Sequence, residues 1–165
     1  MCANGSEGTI LLLLLISSAV RPQSMNITPS AAAPGRSGSF LLVMNSPAGK
    51  APLALQWKFT FPEGITVDLR DLVAGGAAES AGKSLTCSLS GKPSKSQQTF
   101  MCILAGGKTP IANGTVCVAR YRVARSMKRE SATVKVQDIL AVGSDPEKLT
   151  IADAQGLIAT KSQRP

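Results

Sequence analysis

An all-β fold, a two-sheet sandwich of about nine strands, is what this sequence predicts. Three observations carry the prediction. The stretch LALQWKFTF places Leu53, Leu55, Trp57, Phe59 and Phe61 on every second position, with Ala54, Gln56, Lys58 and Thr60 between them. A period of two is the mark of a strand with one buried edge. Similar short apolar runs recur down the chain, divided by Gly, Pro, Ser and Asn, as strands and turns require. The third observation is composition. With 165 residues, 44% apolar and 17% charged, the chain is too apolar for disorder and long enough for one domain with a true core.

The elements follow in order. Ile10 to Ile16 is an unbroken apolar run followed by SSAVRPQ. It is short of the ~20 residues a membrane span needs and fits the apolar part of an export signal. Cleavage is expected after Ala19, although the leader MCANGSEG carries Glu7 and neither Lys nor Arg. The expected organisation is a signal peptide over residues 1–19, a linker with a first strand over 20–38, a sandwich over 39–160 that begins near Met25, and a tail over 161–165. A secreted, periplasmic or cell-surface protein with no stable membrane insertion follows.

Met25 to Thr28 is a short strand, Ser39 to Asn45 a clearer one, and SPAGKAP turns the chain into the Trp57 strand. That strand holds three of the six aromatic residues on one edge. Phe61-Pro62-Glu63-Gly64 ends it, because proline lacks the ladder donor and glycine permits the turn. From Ile65 to Gly82 the pattern is irregular, with Val67, Leu69 and Leu72 expected against a sheet edge and AGGAAESAG as a loop or single helical turn. Thr115 to Ala124 is a long strand whose Cys117, Ala119, Tyr121 and Val123 share a face. Ser131 to Val142 is another, broken at Gly143. Leu149 to Ile151 and Leu157 to Thr160 are expected to close the fold as a terminal pair.

SLTCSLS and TFMCILA, separated by GKPSKSQQ, read as a hairpin that places Cys87 and Cys102 where they can face each other. A disulfide closing a loop of about fifteen residues would contribute ~3 kcal/mol in the chain-entropy model. The alternative is two buried free thiols. Cys2 leaves with the signal, and Cys117 packs in the core.

There is no histidine, which excludes Ser-His-Asp triads, histidine acids and bases, and His-containing zinc sites. The net charge of +8 is carried by scattered Lys and Arg, with a local concentration at Arg120, Arg122, Arg125, Lys128 and Arg129. With aromatic residues committed to the core, this cluster reads as a solvated turn, and no nucleic-acid partner is expected. Asp145, Glu147 and Asp153 are the nearest approach to a calcium cluster, but their spacing is not that of an EF-hand. No metal site is assigned and no cofactor is expected, calcium being kept only as the alternative. Asn26-Ile27-Thr28 and Asn113-Gly114-Thr115 match the glycosylation acceptor pattern, the second reading more simply as a tight turn.

Gln56 and Lys58 point away from the Trp57 edge. If Phe100, Cys102 and Leu104 face the core, Met101 and Ile103 point outward too. These four are the candidate binding residues, the alternative being a cover formed by a loop or by the Ile65 to Gly82 segment. An exposed aromatic platform for sugar would have to come from Phe40, Phe100 or Tyr121, and the last two lie in inward patterns.

The segments SPAGKAPLALQWKFTFPEGI, IANGTVCVARYRV and ATVKVQDILAV followed by LTIADAQGLIAT are similar in order to those of the cohesin family, the sandwich modules of cellulosomes and related extracellular proteins. AGKSLTC with a later cysteine looks like the cohesin-like proteins of soil bacteria. The resemblance implies a jelly roll related to carbohydrate-binding modules, without catalytic residues, that takes a calcium-loaded dockerin through a sheet face. The expected function is a non-catalytic extracytoplasmic module recognising a dockerin-like protein or a polysaccharide. The alternative is a structural subunit that pairs through an open sheet edge.

Overall fold

The computed structural model describes residues 23–91, 97–143 and 148–161, with backbone alone at 148–150. The expected signal peptide, Asp145, Glu147 and most of the tail lie outside the described residues. Twelve strands are seen: β1 (Ser24–Ile27), β2 (Ser30–Ala31), β3 (Ser37–Asn45), β4 (Ala54–Pro62), β5 (Ile65–Thr66), β6 (Leu72–Ala74), β7 (Ser84–Leu89), β8 (Gln97–Ala105), β9 (Gly114–Val123), β10 (Ser131–Val142), β11 (Lys148–Thr150) and β12 (Ala154–Ala159). The only α-helix among the described residues is the single turn α1 (Gly76–Ser80). The three strands beyond the expected nine are β2, β5 and β6, each of two or three residues. Segments so short hold no period to read.

Five strands form one sheet in the order β1-β3-β9, with β5 and β6 both on the far edge of β9. Seven form the other, in the order β2-β12-β10-β4-β8-β7, with β11 also on β10. All pairings are antiparallel except that of β2 with β12. The terminal pair expected from Leu149 to Thr160 does not form. β11 and β12 each pair with β10 and lie one after the other along its edge, because β10 is long enough to serve both.

β4 sits in the middle of the larger sheet and supplies its packing surface. Leu55, Trp57, Phe59 and Phe61 are buried, as the alternation demands, and Leu53 lies just before the strand and is only half-buried. From the facing sheet Phe40 meets Phe59 edge to face at 5.9 Å and Phe61 at 6.2 Å, a geometry aromatic rings favour. Cys117, Ala119, Tyr121 and Val123 all face inward as the period of β9 predicts. Tyr121 shares a hydrogen bond of 2.6 Å with the Ser30 hydroxyl. Val67 and Leu72 are buried, but Leu69 is exposed, because it lies on a 3-10 turn (Leu69–Asp71) rather than on a strand edge.

One irregularity positions the site. Between Gln137 and Leu140 the register of β10 on β4 shifts, and Asp138 adopts φ of 51°, the only non-glycine residue described with a positive φ. This is a β-bulge. The extra residue reverses parity: Val134 and Val136 face inward before it, Ile139 and Ala141 after it, so that Leu140 and Val142 point to solvent.

Candidate binding face

The ladder brings the four sequence-predicted residues together. Gln56 pairs with Ile103 and Lys58 with Met101, so the outward side chains of β4 and β8 form two adjacent rows. β10 extends both rows, since Leu140 lies beside Gln56 and Gln137 beside Lys58. β7 extends them on the other flank with Thr86 and Ser88. Ile103 is 45% exposed, Leu140 38% and Val142 47%. The Ile65 to Gly82 segment does not cover this face, because β5 and β6 pair with β9 on the opposite sheet.

Lys58 reaches across the strands to Asp138, with Nζ donating to Oδ2 at 2.5 Å. Both groups meet solvent, so the pair contributes at most ~1 kcal/mol to stability. Its larger effect is to fix the ammonium across β4 and β10, beside the row that holds Leu140, Gln56 and Ile103. The bulge makes this reach possible by turning Asp138 outward. Its N–H in turn donates to Asp153 Oδ1 at 3.2 Å. Asp153 thus supports the bulge, while its two companions from the candidate calcium cluster lie outside the described residues. Beyond Lys58 the face sinks into a polar cleft of about 550 Å³ whose lining includes Thr60, Glu63, Met127, Arg129, Lys135 and Gln137.

Cys87 and Cys102 are directly paired and joined by a disulfide, with Cα atoms 4.1 Å apart. Cys102 is fully buried, so the bridge lies beneath the face and ties the outermost strand, β7, to β8. Cys117 is the free thiol among the described residues, and burial pushes its pKa from 9.0 up to about 12.

Leu140 and Val142 escaped the sequence reading. Strict alternation from Val134 would turn them inward, and the only local sign of the reversal is that Ile139 and Leu140 are adjacent apolar residues. All six aromatic side chains are buried, none exposed by more than 2%, so Phe40, Phe100 and Tyr121 offer no sugar platform. The basic cluster also sits differently from the expected turn. Arg120 and Arg122 are in β9, exposed on the outer face of the smaller sheet, and only Arg125, Lys128 and Arg129 follow in the connection to β10. Asn113 binds Ser46 through both amide atoms, accepting from its N–H at 2.6 Å and donating to its carbonyl at 3.1 Å, and Asn26 is exposed on β1.

No protein-family model and no curated protein matches the sequence. Solved structures are. A non-cellulosomal cohesin from the archaeon Archaeoglobus fulgidus superposes with a TM-score of 0.69 at 15% identity, over 87% of this chain and 94% of that one. The sixth cohesin of Acetivibrio cellulolyticus scaffoldin B, solved in complex with a dockerin, gives 0.69 at 11% identity, over 86% and 100%. A cohesin module from a Clostridium perfringens family 33 glycoside hydrolase gives 0.63 at 7% identity, over 85% and 96%. The chain therefore has a cohesin-type, all-β sandwich fold.

Proposed function

We propose that this protein is a non-catalytic, extracytoplasmic binding module that takes a dockerin-like protein on the outer face of β10-β4-β8-β7. The observation that carries the reading is the run of outward apolar residues Met101, Ile103, Leu140 and, further along β10, Val142 on the uncovered sheet face that also bears the Lys58–Asp138 pair. Apolar anchors around an orienting charge are the composition of a protein interface. Structures of the same fold are described in complex with dockerins, which supports that class of partner. The disulfide suits an oxidising compartment, in agreement with the apolar run at Ile10 to Ile16. A polysaccharide is the weaker partner, because no aromatic ring faces solvent.

Capture from an exported proteome by the oxidised domain, with calcium and with chelator, tests the proposal. A single calcium-dependent partner bearing a dockerin is the expected result. Met101→Asp and Lys58→Glu should each weaken that capture by about tenfold or more, equivalent to ~1.4 kcal/mol, while thermal stability stays near that of the parent. Retention on a neutral glycan, or capture indifferent to both substitutions, would overturn it.

A further inference from the structure

The opposite face of the molecule has a different composition. On the outer face of the five-stranded sheet Ser37 stands beside Arg122 and Ser39 beside Arg120, and Thr66 of β5 flanks Arg122 on its other side. A row of hydroxyl, guanidinium and hydroxyl thus crosses three strands, and a second guanidinium stands two residues along β9, roughly 7 Å away. Both arginines are exposed. At the adjoining end of the sheet the ladder continues from Val123 to Arg36, whose carbonyl accepts the Val123 N–H. Arg125 lies close by, its Cγ 3.0 Å from the position a Cβ on Gly35 would take.

Among the described residues, Arg36, Arg120, Arg122 and Arg125 have no acidic partner, the ion pairs there being those of Lys58, Arg70 and Lys161. Four unpaired guanidinium groups in one region repel one another. They would be relieved by an anion, which arginine holds bidentately where the anion is a carboxylate, sulfate or phosphate. The small hydroxyl neighbours leave the guanidinium planes open and add donors for the same oxygens.

We infer that this face is a second binding surface, independent of the dockerin-type face, for an anionic polysaccharide bearing carboxylate or sulfate groups. A nucleic acid is disfavoured because every aromatic side chain is buried and no base could stack. A folded protein is disfavoured because, Leu69 apart, the exposed large apolar residues all belong to the other sheet. The surface offers charge and hydroxyls without an apolar anchor.

The test uses the full chain, oxidised, passed over polygalacturonate, dextran sulfate and neutral dextran, with a single-stranded oligodeoxynucleotide as competitor. Retention on either acidic polymer at low salt and none on neutral dextran is expected, with elution as added salt shortens the screening length. The double variant Arg120→Glu/Arg122→Glu should bind about tenfold more weakly or worse. A double variant with the same charge change at exposed sites elsewhere, Lys50→Glu/Lys108→Glu, should bind as the parent does. If both double variants lose retention equally, binding reflects net charge and the surface is not a site. Failure of the parent to bind either acidic polymer, or displacement by the oligonucleotide as readily as by free polymer, would equally overturn the inference.

Discussion

The outer face of the seven-stranded sheet carries exposed Ile103, Leu140 and Val142 together with a charge pair that neutralises itself, Lys58 with Asp138. The outer face of the five-stranded sheet bears Ser37, Ser39, Thr66, Arg120 and Arg122, with no ion pair to quiet the arginines. The same alternation builds both, and their inward halves merge into one core of Phe40, Phe59, Phe61 and Tyr121. Alternation commits every second residue to that core and leaves the others free. The two faces could therefore acquire unrelated chemistries without disturbing each other or the fold.

The comparison breaks most completely when the shared core is damaged. Trp57→Ala should cost about 3–5 kcal/mol, seen as a lower denaturation midpoint, and should remove binding at both faces together. If Trp57→Ala removed binding at one face alone, the faces would not rest on a common core. Replacing both Cys87 and Cys102 by serine should cost about 3 kcal/mol. Binding at the β4-β8-β7 face should suffer first, because β7 is the strand the disulfide ties down.

Gly38→Ala strikes the other sheet. A Cβ there would lie 2.5 Å from the Tyr121 hydroxyl, so the ring must shift, which should weaken its bond to Ser30. The expected cost is about 1–3 kcal/mol, with polyanion binding affected before partner capture.

Alkaline pH acts on the core between the faces. Burial raises the Cys117 thiol from 9.0 to about 12, and burial also raises Tyr121, partly opposed by its hydrogen bond to Ser30. Both groups therefore ionise in the unfolded chain first. The stabilisation is complete below the unfolded pKa and is lost as pH rises toward the folded one, at up to ~1.4 kcal/mol per unit for each group. Denaturation at stepped pH should show this decline above pH ~9, and Cys117→Ala should remove its first part. The smallest effect is at the surface. Lys58→Met should change stability by less than about 1 kcal/mol, which separates its role in capture from any role in folding.

Much of this was open to sequence reading where the signal is local. The burial of Leu55, Trp57, Phe59 and Phe61, the inward face of β9 and the juxtaposition of Cys87 with Cys102 all follow from a period of two within one strand or one hairpin. Reading failed where a partner strand decides. The reversal of β10 at Asp138 depends on how that strand aligns with β4, and it carries Leu140 and Val142 to the surface against the simple pattern. β11 and β12 looked like mates because both are short and close in sequence, yet β10 offered each a longer ladder. Arg120 and Arg122 looked like part of a basic turn because charge was weighed over the run, whereas their strand places them on a sheet face with Ser37 and Ser39.

By itself the sequence determined which residues go inside. Side-chain direction alternates along an extended backbone whatever lies beside it, so Trp57 and Phe59 face one way and Gln56 and Lys58 the other in any sheet that β4 joins. What only the tertiary structure decided was which outward residues become neighbours. Gln56, Ile103 and Leu140 come from three strands far apart in the chain, and Ser37, Arg122 and Thr66 from three others. A ladder can form in several orders from the same strands, and the order is chosen by packing two sheets around one core, a cooperative choice that no single segment contains.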